Sequence, residues 1–343
     1  MSSNTNHHLP LRRLGKDGPE IPALGLGLLG MSTLYGKQPS DEDRFAVLDR
    51  ALELGATHWD SADMYGDSEN LLGKWFKRTG KRDQIFLVTK FGFKKGSNTD
   101  IDSSADFCKK ACDASLKTLG VDYIDLYYLH RANPKTPIEE TMQAMLDLKA
   151  AGKIKHIGLC EISSATLRRA CKVGKVDVIQ CEYSAFDLDI EGQSGTNLLA
   201  TCRELGVGVV AYAPLGRGLL TGNLESKVSI SGEGDYRNVF PRFSDENLDA
   251  NLRVVAQLKA IADEKHCTTA QLAIAWVLKQ GPDIIPIPGT KKIKYLEENV
   301  GALAVELTDA EERRVRDIVS QVAGKRAPDW ADYQNYVDTV ELK

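Results

Sequence analysis

Ile124-Asp-Leu-Tyr-Tyr-Leu-His130 is followed by Thr136 to Ala151 and then by Ile154-Lys-His-Ile-Gly-Leu159. The two outer runs are short and apolar on both sides, which fits strands buried on both faces of a parallel sheet. The middle stretch reads as a helix, with Pro137 in its first turn and Gly152 just past its end. Strand, helix and second strand make one β-α-β crossover unit.

The same unit recurs along most of the chain. Strand cores begin near Ala23, Thr57, Ile85, Ile124, Ile154, Val178, Gly208 and Ile284. Amphipathic stretches lie between them at Asp41–Leu54, Ser103–Leu119, Ser163–Val173, Thr196–Leu205, Thr269–Gln280 and Ile293–Leu303. Eight such strands, each followed by a helix, predict an α/β fold of the (β/α)8 TIM-barrel kind rather than a doubly wound sheet. The interval between the seventh and eighth strands is long, and holds a loop from Gly216 to Arg242 and an extra helix from Ser244 to His266. Leu11–Leu14 and Glu20–Ile21 flank Asp17-Gly18 and read as an N-terminal β-hairpin able to plug one barrel end. Residues 323–343 form a tail whose aromatics, Trp330, Tyr333 and Tyr336, are expected to pack down. No linker or repeat divides the chain, so residues 1–343 read as one barrel domain with residues 1–10 flexible.

Composition narrows the function classes. Of 343 residues, 44 are Lys or Arg and 48 are Asp or Glu, a net charge of −4. That balance offers no global field for nucleic acid or an anionic membrane. No run of about 18 apolar residues appears to span a bilayer, and the first residues show no targeting pattern. The seven cysteines are scattered, without a C-x-x-C pair, which suits reduced thiols in the cytoplasm rather than a metal or disulfide framework. Gly25-Leu-Gly27-Leu-Leu-Gly30 matches G-x-G-x-x-G, but a dinucleotide fingerprint needs a helix opening at its last glycine. Here a loop with Gly36 and Pro39 follows, and the helix starts only near Asp41. A glycine-rich first barrel strand accounts for it better.

In a barrel, side chains at the C-terminal ends of strands face the active site. That rule selects Asp60, Lys90 and His130 after strands two, three and four, with Tyr65 on the loop beyond Asp60. A buried lysine needs a counter-ion, and Asp60 is its natural partner. Lys90 beside a phenol is expected to lower the Tyr65 pKa and make Tyr65 a general acid. His130 can orient a carbonyl by donating a hydrogen bond to its oxygen. With no activated serine or cysteine, this set suits proton transfer to a carbonyl accompanied by hydride from a cofactor.

These residues resemble the aldo-keto reductase superfamily over nearly the whole chain. The resemblance rests on Trp59-Asp-Ser-Ala-Asp-Met-Tyr-Gly66, Leu87-Val-Thr-Lys-Phe-Gly92, Leu126-Tyr-Tyr-Leu-His-Arg131, Gly152 to Leu159, Gln180 to Ser184, Ala211 to Gly218 and Ile287 to Asn299. The last two are most similar to the branch of pyridoxal and perakine reductases. It implies the tetrad Asp60, Tyr65, Lys90 and His130, a small-molecule carbonyl substrate, and NADPH lying across the barrel mouth. Carried over residue by residue, it puts Gly30 and Met31 near the nicotinamide ribose, Cys160 and Gln180 at the carboxamide and Tyr212 against the nicotinamide ring. Pro214, Leu215, Gly216, Arg217 and Gly218 would line the pyrophosphate. Gly289, Thr290 and Lys291 would hold the 2′-phosphate, with Tyr295, Glu298 and Asn299 around the adenosine. Three positions depart from the family pattern: Ser61 stands for Thr, Cys160-Glu161 for Ser-Glu or Ser-Asn, and Tyr295 for Arg, His or Gln. Tyr35, Phe91 and Trp330 are substrate-pocket candidates, with Leu34 and Phe93 beside them. Two other readings use the same fold: a redox-sensing regulatory subunit resembling potassium-channel β-subunits, and a phosphate-sugar barrel enzyme.

Overall fold

The computed structural model describes residues 9–342. A two-stranded antiparallel sheet, β1 (Leu11–Arg13) and β2 (Glu20–Pro22), precedes eight parallel strands. These are β3 (Leu26–Gly27), β4 (His58–Asp60), β5 (Phe86–Phe91), β6 (Ile124–Leu129), β7 (Ile154–Cys160), β8 (Val178–Glu182), β9 (Gly208–Tyr212) and β10 (Ile284–Pro286). They pair in sequence order, and a parallel bridge between Gly27 and Gly289 joins first to last. Gly25 and Gly27 add backbone bonds to the carbonyls of Pro286 and Pro288 at 3.0 and 3.2 Å. The sheet is a barrel, as the alternation predicts.

The helices are α1 (Leu29–Ser32), α2 (Asp41–Glu53), α3 (Ser68–Thr79), α4 (Ala105–Leu119), α5 (Ile138–Ala150), α6 (Ser164–Val173), α7 (Leu198–Leu205), α8 (Asp245–Glu264), α9 (Thr269–Lys279), α10 (Ile293–Gly301), α11 (Asp309–Val319) and α12 (Asp329–Asp332). Their starts follow their caps. Ser104 accepts from Phe107 N, and Thr268 with Gln271 closes a capping box at α9. α7 begins two residues later than its polar pattern suggests, because Thr196 and Asn197 both sit in the left-handed region. Besides the single turns α1 and α12, two helices lie outside the stretches that the sequence marks as helical. α3 carries Leu71, Leu72, Trp75 and Phe76 on one buried face and ends at left-handed Gly80. α11 opens on a capping box of Thr308 and Glu311 and packs on α8. The single turn α1 starts one residue beyond Gly27, after Leu28, and contains Gly30, yet the long helix does begin at Asp41.

Strand register decides what faces the interior. Lys90 pairs beside Tyr128, and Tyr128 beside Gly158, so alternate residues from these point inward. The inward set packs into a core of Val88, Leu126, Tyr128, Val178, Val210 and Ile285. Leu14 and Ile21 of the hairpin enter that same core from below, so the hairpin does plug one barrel end. Arg12 fastens it by donating to the carbonyls of Leu278 and Gly281, each at 2.8 Å. The outward set packs under the helices, and Phe91 belongs to it, stacked on Tyr127 at 5.0 Å. Lys90 and Phe91 are strand neighbours, so both cannot face the mouth. Leu9 and Pro10 are described: Leu9 packs against the outer core, and Pro10 accepts from Ala23 N at 2.8 Å. The remainder of the stretch expected to be flexible, residues 1–8, lies outside the described residues.

Gly158 tests this packing. A Cβ there would sit 2.3 Å from Cε1 of the fully buried Tyr128 ring. Gly158→Ala should therefore cost about 1–3 kcal/mol by overpacking, read as a lower urea midpoint at unchanged slope; an unchanged midpoint would contradict the tight fit.

Candidate active site

Asp60, Lys90 and His130 stand at the C-terminal ends of β4, β5 and β6, and the loop after β4 returns Tyr65 over them. That loop is held along its length. Ser61 N bonds Val88 O at 2.9 Å, and Asp63 N bonds Lys90 O at 3.1 Å. Gly66 turns it at φ 55°, where any Cβ would lie 2.8 Å from Ser32 O. Only glycine fits that approach.

The Lys90 ammonium has no solvent exposure. It donates to Asp60 Oδ1, to Ser61 O at 2.7 Å and to the Tyr65 hydroxyl at 3.3 Å. The second Asp60 oxygen accepts from Gln180 Nε2 at 2.8 Å. Burial disfavours the ammonium, but Asp60, Tyr65 and Cys160 more than offset it and hold the Lys90 pKa above its ordinary value. Tyr65 shows the opposite balance from the one expected. Burial raises its phenol pKa more than Lys90 draws it down, so the hydroxyl stays protonated well past neutrality. The His130 ring meets the Tyr65 ring edge-on at 5.6 Å and Phe93 at 5.2 Å. Burial, with Lys90 and Arg131 nearby, holds its pKa well below the usual value, so the imidazole is neutral. Its buried Nδ1 has no partner among the described residues.

Above these groups opens a cavity of about 710 Å³. Asp60, Tyr65 and His130 line it, while Lys90 is not in the lining and bonds to Asp60 and Tyr65. Gly30, Gln180, Tyr212, Pro214, Leu215, Arg217 and Gly218 line it too, as do Gly289, Thr290, Lys291, Tyr295, Glu298 and Asn299. Tyr35 and Trp330 complete the match. Four expected residues are elsewhere. Met31 is buried in the outer core with Val47 and Leu48, Phe91 faces the helices, and Cys160 is packed inside the barrel. Gly216 faces a separate small cleft beside Glu182, Phe240 and Arg326. Burial pushes the Cys160 thiol up to about 12, so it is no anion at neutral pH.

The far end of the cavity is cationic. Lys291, Lys292 and Arg237 line it at the start of α10, and burial, together with Lys292 and Arg237, holds the Lys291 pKa below its usual value. A bound dianion would relieve that crowding, and a helix N-terminus adds amide donors. Lys291 Nζ is meanwhile spent on the carbonyls of Tyr35 and Lys37, at 2.7 and 3.1 Å. Arg217 is paired with Glu182 at 2.8 Å, so it is less free for a phosphate than the sequence implies. The loop after β9 reaches across the mouth to the loop after β3: Gly36 N bonds Gly234 O, and Tyr236 N bonds Leu34 O.

Several lining residues escaped the sequence reading: Arg131, Arg237, Leu224, Asn98 and Gln334. They lie on loops without periodicity, and only Arg131, next to His130, stood within a recognised motif.

The aldo/keto reductase family pattern matches residues 23–320. The chain belongs to that family. This reductase is 50% identical over 323 residues to aldo-keto reductase str7 of Strobilurus tenacellus, covering 93% of this chain and 95% of that protein. It is 46% identical over 338 residues to aldo-keto reductase yakc [NADP(+)] of Schizosaccharomyces pombe, covering 96% and 98%. Among solved structures, the thermostable aldo-keto reductase Tm1743 in complex with the inhibitor epalrestat superposes with a TM-score of 0.72 at 29% identity, covering 90% of this chain and 100% of that one. The glycerol dehydrogenase AKR11B4 from Gluconobacter oxydans gives 0.78 at 26%, covering 93% and 96%. The family assignment removes the phosphate-sugar reading, and the chain is an oxidoreductase of carbonyl and alcohol groups.

Glu161, next to the departure at Cys160, is buried behind Tyr212 rather than in the cavity. Burial raises its pKa, but Arg326 and Arg131 outweigh that and bring it to about 2. Its contribution to stability is therefore present above about 4.5 and is lost as pH falls toward about 2. Glu161→Gln should cost about 3 kcal/mol at pH 7. The gap to the unmodified protein should close as urea melts are repeated down through that acid range. A gap independent of pH would contradict the ion pair.

Proposed function

We propose that this reductase converts an aldehyde or ketone to its alcohol with NADPH, Tyr65 serving as the general acid. The observation that carries the reading is the Lys90 ammonium bonded at once to Asp60 and to the Tyr65 hydroxyl, with His130 edge-on to Tyr65 at the floor of one large cavity. NADPH, when bound, supplies hydride to the carbonyl carbon. Neutral His130 would donate a hydrogen bond to the carbonyl oxygen and aim it at Tyr65. Tyr65 would pass its proton to that oxygen, and Lys90 would stabilise the phenolate left behind.

The cofactor site follows the cavity wall. Gln180 and Tyr212 would hold the nicotinamide, with Pro214, Leu215, Arg217 and Gly218 along the pyrophosphate. Lys291, with Thr290 and the start of α10, would take the 2′-phosphate, and the cation crowding there favours NADPH over NADH. The named S. pombe relative is itself an NADP(+) protein. All seven cysteines are free thiols, which suits a reducing cytoplasm. One barrel domain accounts for the chain.

Tyr65→Phe should retain NADPH binding, seen as an unchanged thermal shift, while steady reduction of an aromatic aldehyde such as 4-nitrobenzaldehyde falls by at least about a hundredfold. Unchanged turnover would remove Tyr65 as the acid. A redox-sensing subunit would instead oxidise its nucleotide once without sustained turnover.

The raised Tyr65 pKa gives a direction with pH. Reduction needs the phenol, so its rate should stay level through neutrality and decline only above about pH 10. Oxidation of an alcohol needs the phenolate and should climb with pH over the same range. Lys291→Ala should raise KM for NADPH by about tenfold and leave KM for NADH nearly unchanged; an equal change in both would move the phosphate site elsewhere.

A further inference from the structure

The C-terminal tail is joined to the nicotinamide end of the cavity through one buried carboxylate. Glu161 ends β7 with φ 50°, a backbone conformation that costs a non-glycine residue energy and persists only where its surroundings hold it. Four donors meet its side chain. Oε1 accepts from the Tyr212 hydroxyl at 2.8 Å, from Glu182 N at 3.0 Å and from Arg326 at 3.1 Å. Oε2 accepts from the other Arg326 nitrogen at 2.6 Å. Arg326 comes from the tail, 165 residues away in sequence, and is almost wholly buried.

The backbone repeats the connection. Val337 N bonds Glu161 O at 2.8 Å, and Ser163 N bonds Val337 O at 3.0 Å. Both ends of the segment 326–337 are thus tied to the end of β7. Between them Ala327, Pro328, Ala331 and Gln334 line the cavity. Arg326 also faces Asp187 and Asp189 at 4.0 and 3.9 Å and lies 4.8 Å from the Tyr336 ring. Arg242 and Arg217 neutralise Asp187 and Glu182 nearby, so Arg326 is the cation left for Glu161 at hydrogen-bond distance.

We propose that Arg326 is a positioning residue for the nicotinamide half of the cofactor site, fixing through Glu161 the acceptor that sets the Tyr212 ring. The inference rests on Tyr212 being the nicotinamide wall, as argued above. Without Arg326 the carboxylate loses both of its charge-assisted hydrogen bonds, Arg131 remaining only as a nearby charge, and the Tyr212 hydroxyl loses a fixed acceptor. The ring then samples orientations that the nicotinamide cannot stack on. The adenosine end, at Gly289, Thr290 and Lys291, takes no part in the hydrogen bonds around Glu161.

The test compares two ligands by calorimetric titration: NADPH, and 2′-phospho-ADP-ribose, which lacks the nicotinamide. Arg326→Met should weaken NADPH by about tenfold, the worth of one charge-assisted hydrogen bond, and leave 2′-phospho-ADP-ribose within about twofold. Arg326→Lys should recover part of the loss. Tyr212→Phe keeps the ring, removes the hydroxyl and should show the same selective loss. In that background Arg326→Met should add little. Equal weakening of both ligands, or unchanged NADPH affinity in Arg326→Lys and Tyr212→Phe, would overturn the proposal. Should Arg326→Met fail to fold, those two variants decide it alone. Failure of the unmodified protein to bind NADPH would instead remove the cofactor reading.

Discussion

A lysine ammonium without solvent exposure sits at the top of the barrel, and much of the site is arranged to keep it there. Its charge is tolerable only because Asp60, from the neighbouring strand, is within bonding distance and is itself held on its other oxygen by Gln180. Parallel strands deliver these groups from positions separated by 30 and 120 residues, with rotamers locked by the packed interior below. The Ser61 carbonyl takes another of the ammonium's three protons, which ties the β4 loop and so Tyr65 to the same point. On the proposed reading, the proton donor is placed by the charge it will need.

That arrangement explains why burial and charge oppose one another at Tyr65 without spoiling the chemistry. An acid for carbonyl reduction must hold its proton until negative charge develops on the substrate oxygen. Burial keeps the phenol neutral in the resting site, and Lys90 counts most once a phenolate forms. The expectation of a resting pKa drawn toward neutrality considered the cation and left out the desolvation of the phenol. Desolvation depends on what covers the ring, and that is a tertiary property. The same omission hid the neutral state of His130, whose surroundings include Lys90 and Arg131 from two strands.

The barrel was readable because each β-α unit carries its own signals: a short apolar run, a capped amphipathic stretch and a glycine. That Asp60, Tyr65, Lys90 and His130 meet at the barrel mouth was readable because strand ends have a fixed orientation. Phe91 shows how far that rule could have been pushed, since strand alternation alone turns it away from Lys90. Met31 and Cys160 stand outside the cavity lining for a different reason. Each borders a motif that reaches the cavity, but their side chains point into packed cores. Of the cavity's arginines, Arg237 carries no motif and pairs with Asp235 two residues away, whereas Arg217 lies where the resemblance puts it but is claimed by Glu182, a partner that meets it only through folding.

The tail is where local signals end. It crosses the cavity between two anchors at the end of β7, then runs down between α5 and α6, where Arg169 donates to the carbonyls of Thr339 and Val340 and Ser163 donates to Asp338. Between the anchors Gln334 and Tyr333 add bonds to the carbonyls of Asn98 and Thr99 on the loop after β5. Four-residue α12 and the half-exposed Trp330 hang on this span. Such a wall contributes little to the core, so its residues can change without disturbing Asp60, Lys90 or the strands that carry them. Arg326 is the exception on that span. Its removal would strand a buried carboxylate, so the segment free to reshape the substrate side begins only after the residue that fastens it.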